Sequence, residues 1–136
     1  MLKVSFDIGG VLSKYPHIFR PMVEALQKGG AEVFVLTDIH DHEESVRLVQ
    51  GNGYDIPADH ILNSDYEAHG EDCKAVLIKE YGIDLHIDDF PGYCAHTECV
   101  SLFVWPNPEQ PYFHDDFKDF LPEGANRFGR RKKSRR

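Results

Sequence analysis

Val4-Ser5-Phe6-Asp7-Ile8-Gly9-Gly10-Val11-Leu12 reads as a short apolar strand that hands one carboxylate to a glycine turn. Leu2, Val4 and Phe6 suit a strand, and Gly9-Gly10 permit backbone angles and close approaches that side chains block. Open α/β sheets bind ligands at the carboxyl ends of their strands, so Asp7 stands at a ligand edge. Asp and Gly are also ordinary turn residues, and the stretch alone leaves Asp7 as either a turn cap or a reactive group. What decides between them is whether other strand ends carry matching chemistry.

Following the chain, the stretch from about Ile18 to Lys28 sets Phe19, Met22, Val23 and Leu26 on one helical face, expected to be core, and stops at Gly29-Gly30. Val33-Phe34-Val35-Leu36 is a continuous apolar run, the mark of a strand buried on both faces. It ends in Thr37-Asp38. Asp41-His42-Glu43-Glu44 has the acidic start of a helix that runs through Val46 and Val49 to Gly51, and its carboxylates read as caps. Asp59 to Asp65 predicts a short strand, and Tyr66 to Gly70 a loop. Glu71-Asp72 then opens a helix with Cys73, Val76, Leu77 and Tyr81 on one face and Gly82 as its stop. Lys74 lies in the first turn of that helix, where the dipole disfavours a cation. Ile83 to Ile87 predicts a strand ending in Asp88-Asp89, adjacent acids that repel unless a cation offsets them. Val100 to Val104 supplies a further strand. A proline-rich stretch, Trp105 to Pro111, follows, and Asp115 to Leu121 predicts a terminal helix packing through Phe117, Phe120 and Leu121.

This alternation predicts an α/β fold, a mostly parallel central sheet with helices on both faces. The 136 residues suit a single domain over residues 1–126, with 127–136 as a basic disordered tail. That tail holds seven Lys or Arg and no acid, so all 23 acids belong to the body. An acidic body is a poor general nucleic-acid binder, which leaves nucleic acid as a partner for the tail alone. The tail reads equally as a patch for an anionic surface and as a solvated extension. No run approaches the roughly 20 apolar residues of a membrane span, and the N-terminus shows no export signal. Cytoplasmic residence is the expectation. Cys73, Cys94 and Cys99 are odd in number and lack a framework spacing, so they read as reduced thiols rather than bridges or metal ligands. His40 and His42 diverge on a helix and do not share an ion.

The expected ligand edge gathers Asp7, Thr37, Lys74 and Asp88-Asp89. As chemistry, this is a carboxylate nucleophile, a hydroxyl and an ammonium to hold an anion, and acids to bind Mg²⁺. The order resembles the haloacid dehalogenase-like (HAD) superfamily, whose four motifs are an apolar strand with Asp-x-Asp-Gly, a strand ending in Thr or Ser, a Lys, and a strand ending in paired acids. They match Phe6-Asp7-Ile8-Gly9-Gly10-Val11-Leu12, Val33 to Thr37, Lys74, and Leu85-His86-Ile87-Asp88-Asp89. Lys79 is the poorer candidate, being farther along its helix. Phosphoacceptor receiver domains use similar residue types, but their paired acids come on the first strand.

The resemblance implies a Rossmannoid, HAD-like fold and a Mg²⁺-dependent phosphohydrolase. Asp7 would attack phosphorus and form an aspartyl-phosphate, with Thr37 and Lys74 completing the catalytic set. Gly10, Thr37, Asp38 and Lys74 would bind substrate, and Asp7, Gly9 (through its carbonyl), Asp88 and Asp89 would hold the metal. Free Asp titrates near 3.9, so Asp7 is expected to be anionic without tuning. Gly9 replaces the family's second Asp, a general acid/base worth about 10²- to 10⁴-fold in rate. Two readings follow. One is a phosphatase favouring leaving groups that need little protonation, such as aryl or acyl phosphates, unless His17 or His40 substitutes. The other is a weak or inactive relative that binds a phosphorylated partner. The intervals from Leu12 to Val33 and from Thr37 to Lys74 leave no room for a cap domain. An open site suits either a bulky substrate, such as a phosphorylated macromolecule, or a partner that closes it.

Overall fold

The structure, a computed structural model, describes residues 1–105. The predicted helix Asp115 to Leu121, the boundary after residue 126 and the basic tail lie outside the described residues. Five strands, β1 (Lys3–Phe6), β2 (Glu32–Thr37), β3 (Ile61–Asn63), β4 (Leu85–Asp88) and β5 (Val100–Phe103), form a wholly parallel sheet in the order β3-β2-β1-β4-β5. All five lie in one unit, Met1–Val104. The chain steps outward from β1 to β3, then crosses back to lay β4 on the free side of β1. Strand order therefore reverses between β1 and β4, and the crevice at such a switch point is where this architecture binds ligands. Phe6 pairs with Ile87, and Asp7 N–H donates to the Ile87 carbonyl at 2.9 Å. Asp7 thus emerges beside Asp88.

Alternate residues of β2 explain why its apolar run is unbroken. Val33 and Val35 join Val4, Phe6, Ile61 and Ile87 under α1 (Pro16–Lys28) and α2 (His42–Gly51), with Phe19, Val23 and Val49 from those helices. Phe34 and Leu36 face the other way, with Leu62, Ile83 and Ile78 of α4 (Cys73–Tyr81). Helices therefore cover both faces, as the sequence predicts. Capping also follows expectation: the Asp41 carboxylate accepts from the Glu43 and Glu44 amides at the start of α2, and Gly82 ends α4 in the left-handed conformation.

Four local expectations are corrected. Tyr66–His69 forms a helical turn, α3, instead of a loop, because the Asp65 carboxylate accepts from the Ala68 amide at 3.1 Å and caps it. The third strand is trimmed to three residues, since Ala58–His60 forms a 3₁₀ turn whose His60 ring stacks on Phe34 with centroids 4.4 Å apart. Met22 is exposed, because the buried stripe of α1 runs through Phe19 and Val23. Val76 is exposed as well: the inward stripe of α4 is Cys73, Lys74 and Ile78, with Lys74 in a position normally apolar. Beyond the paired acids lies a further helical turn, α5 (Pro91–Cys94). Among the described residues, β1 and β2 are joined through a single α-helix, and only α2, β3 and α3 intervene before α4, so no cap domain is inserted. No described helix is long and apolar enough to cross a membrane.

The turn after β1 gives its two glycines different duties. Gly9 (φ −67°, ψ 131°) and Gly10 (φ 74°, ψ −4°) have the angles of a type II turn, which needs positive φ at its second central residue. A Cβ on Gly10 would overlap the Asp89 carboxylate, whereas one on Gly9 would meet open space. Gly10→Ala is therefore expected to cost about 1–3 kcal/mol through strain and overlap. Gly9→Ala, at angles any residue adopts, should be neutral or stabilising by up to about 1 kcal/mol. Urea unfolding of both variants checks this; equal effects would contradict the turn geometry.

Candidate active site

The carboxyl edge brings together Asp7 after β1, Thr37 at the end of β2, Asp88 and Asp89 at the end of β4, and Lys74 from the first turn of α4. Lys74 is fully buried, and its Nζ donates to Asp7 Oδ1 and Asp88 Oδ2, each at 2.8 Å. Nζ also lies 4.5 Å from the centroid of the Tyr93 ring, within cation–π range. A lysine at this helix start works against the dipole, and two carboxylates outweigh that cost. Lys79, farther along the same helix, is exposed.

Behind Asp88 runs a buried polar chain absent from the sequence reading. His86 Nε2 is 2.8 Å from Asp88 Oδ2, and His86 Nδ1 is 2.7 Å from Ser5 Oγ. Burial lowers the His86 pKa below its usual range despite the Asp88 carboxylate. The ring is therefore neutral, with Nε2–H donating to Asp88 and Nδ1 accepting from the Ser5 hydroxyl. The other Asp88 oxygen, Oδ1, accepts from the Phe90 amide at 3.0 Å. Among the described residues no buried side-chain nitrogen or oxygen lacks a partner. Alternation alone could have flagged Ser5 and His86, two polar residues at inward positions of adjacent central strands paired in register.

The carboxylates differ in state. Burial pushes Asp7 well above the usual range, against the pull of Lys74 and with the charges of Asp88 and Asp89 adding to it. This corrects the expectation that Asp7 needs no tuning. Burial also raises Asp89, helped by the Asp88 charge. Burial opposes ionisation of Asp88 too, but Lys74 and the His86 hydrogen bond overcome it and hold Asp88 below the usual range.

In front of this assembly opens a cleft of about 330 Å³ lined by Asp7, Gly9, Thr37, Asp38, Ile39, Asp89, Phe90 and Tyr93. Thr37 is buried, its Oγ1 accepting from the Ile39 amide at 3.1 Å, which leaves its hydroxyl proton to donate. Ser64 fixes the Thr37 carbonyl, donating from N at 2.8 Å and from Oγ at 2.9 Å. Asp38 is exposed and accepts from the Tyr93 hydroxyl at 2.7 Å. Tyr93 lies in a stretch that offered no motif, and only its aromatic character in a polar loop could have drawn notice. Gly10 is not among the cleft-lining residues; its part is to admit Asp89.

Asp7, Asp88 and Asp89 each offer an oxygen within 4.8 Å of the others, and among the described residues they are the one group of three acids, histidines or cysteines so placed. Fully ionised, these three acids against Lys74 leave a charge of −2, and oxygen donors at that charge fit a hard divalent cation. Asp7 and Asp89 face the cleft, whereas both oxygens of Asp88 already accept hydrogen bonds. Comparison of the chain with protein families, curated proteins and solved structures gives no match.

Elsewhere the alternatives fall away. His17 and His40 are exposed and do not line the cleft. His42 Nδ1 is engaged with Asn63 Oδ1 at 2.7 Å, and His96 Nδ1 with Asp72 at 3.0 Å. The three cysteines are free, and burial pushes the Cys94 thiol up to about 12, so it stays protonated.

Lys74→Met would strand two buried carboxylates and is expected to cost about 3–5 kcal/mol at pH 7. The sign with pH follows from Asp88, which the wild type holds below its unfolded value. Its contribution is present above about pH 4 and is lost as pH falls through the folded value. The variant lacks that contribution, so the stability gap should narrow below about pH 4. Urea unfolding from pH 7 to 3 checks it; a gap independent of pH would contradict the ion-pair account.

Proposed function

We propose that the protein is a HAD-type, Mg²⁺-dependent phosphohydrolase that works through an aspartyl-phosphate on Asp7. The observation that carries this reading is one cleft holding Asp7, Thr37 and Asp89, with Lys74 behind them bridging Asp7 to Asp88. Phosphoryl transfer asks little of a protein beyond positioning and charge stabilisation, and these residues supply both. Lys74 holds Asp7 Oδ1 and thereby orients the carboxylate, leaving Asp7 Oδ2 as the attacking atom. The Thr37 hydroxyl, its oxygen steadied by the Ile39 amide, donates to a phosphoryl oxygen. Asp7 and Asp89, with the Gly9 carbonyl, would hold Mg²⁺ at the mouth, and Asp88 would act from behind through Lys74. When bound, the cation neutralises charge on the phosphoryl oxygens. Positive charge at the cluster also favours the ionised, nucleophilic form of Asp7 that burial opposes.

The absence of a cap fits a bulky phosphorylated substrate, since nothing in the described unit closes over the cleft. The second reading, a protein that binds a phosphorylated partner without turning it over, rests on Gly9. It predicts phosphate-dependent binding with no Asp7-dependent turnover.

Hydrolysis of an aryl phosphate decides between them. Turnover is expected with Mg²⁺, and it should fall to the protein-free background with EDTA and in the Asp7→Asn variant. Turnover that survives in folded Asp7→Asn protein would overturn the assignment of the nucleophile. Its absence in the wild type would favour the binding reading.

A further inference from the structure

We propose that Asp38, held by the Tyr93 hydroxyl, is the general acid and base of this site, doing the work for which Gly9 has no side chain. The inference rests on the phosphohydrolase reading above. Among the cleft-lining residues, proton-carrying side chains are few: Asp7, Thr37, Asp38, Asp89 and Tyr93. Asp7 is committed to attack and Asp89 to the carboxylate cluster. The Thr37 hydroxyl is a weak acid already aimed by the Ile39 amide. Tyr93 donates its proton to Asp38 at 2.7 Å, and its ring lies against the Lys74 ammonium, so its hydroxyl is spoken for. Asp38 remains. It is the one cleft carboxylate outside the Asp7-Asp88-Asp89 cluster and, unlike Asp7 and Asp89, it is solvent-exposed, able to exchange protons with water.

Its placement suits the task. Asp38 directly follows Thr37, the residue proposed to hold a phosphoryl oxygen, and Tyr93 pins it from across the cleft, from α5. The empty space at Gly9, where a side chain would meet nothing, leaves room for a leaving group to lie toward Asp38. Neither His17 nor His40 reaches the cleft lining.

As Asp7 Oδ2 bonds to phosphorus, the bond from phosphorus to the leaving oxygen breaks, and that oxygen takes the proton of Asp38 in its carboxylic-acid form. The resulting Asp38 carboxylate then removes a proton from water as the water oxygen bonds to phosphorus. The bond between phosphorus and Asp7 breaks, inorganic phosphate leaves, and Asp38 is again an acid. Tyr93 is a positioning residue that donates to Asp38 and touches no reacting atom.

The test compares kcat/KM across phosphate monoesters, from p-nitrophenyl phosphate to a simple alkyl phosphate, in the wild type, Asp38→Asn, Tyr93→Phe and Asp38→Asn/Gly9→Asp. Asp38→Asn should lower kcat/KM for the alkyl ester by about 10²- to 10⁴-fold, a loss at least tenfold greater than that for the nitrophenyl ester. It should also slow breakdown of the phosphoenzyme, which appears as a burst of nitrophenol. Tyr93→Phe should give the same leaving-group pattern, weaker. Gly9→Asp should return at least tenfold of the lost alkyl activity to Asp38→Asn, because a carboxylate is regained at the open position. Equal losses for every leaving group, or no loss, in folded protein whose turnover still depends on Asp7 would overturn the role of Asp38 alone. Turnover independent of Asp7, or none in the wild type, would overturn the underlying reading and this one with it.

Discussion

The contact on which the site depends is the Lys74 ammonium, fully buried between Asp7 and Asp88 at 2.8 Å from each. An unpaired charge at this depth would be prohibitively costly, and removal of one partner leaves the others uncompensated. Asp7 and Asp88 stand at the ends of β1 and β4, neighbours only because the sheet reverses its strand order there. Lys74 comes from the helix on the face toward which Ser5 and His86 point. Sheet topology, the inward stripe of α4 and the polar chain beneath it thus converge on one nitrogen atom. The same contact sorts the carboxylates into roles: Asp88 is held ionised and turned inward, while Asp7 and Asp89 are raised by burial and face the cleft.

Asp7, Thr37 and Asp88-Asp89 were legible in the sequence because strand ends are easy to locate, and Lys74 because it sits at a helix start where the dipole disfavours a cation. An apolar run that stops at a polar residue marks both the strand and the group it delivers. The α/β class and the helix stops at Gly29-Gly30 and Gly82 were readable for the same local reasons. Tyr93 and its bond to Asp38 were not, since the partners lie 55 residues apart and neither forms a pattern alone. The inward stripe of α4 was misjudged at Val76 because hydrophobic periodicity gives no credit to a lysine, yet Lys74 occupies the core-facing position. Asp7 was expected to ionise freely because sequence carries no measure of burial.

Gly9 and Gly10 look alike in sequence and differ in consequence. Gly10 is required by a positive φ and by the Asp89 carboxylate packed against it, so it maintains the cluster. Gly9 has ordinary angles and open space, and no steric reason forces a glycine there. Packing therefore does not impose glycine at position 9, and in the proposed phosphohydrolase reading the carboxylate missing there is open to replacement from another wall of the cleft. Asp38, exposed and tethered by Tyr93, stands on that wall.

The central claim is that Asp7 becomes covalently phosphorylated. The most direct measurement is rapid acid quench of the protein turning over a labelled aryl phosphate with Mg²⁺, followed by peptide mapping of the trapped label by mass spectrometry. The account predicts phosphate on Asp7, discharged by hydroxylamine as an acyl phosphate is. Turnover with no trapped phosphate, or with the label on another residue, would contradict it.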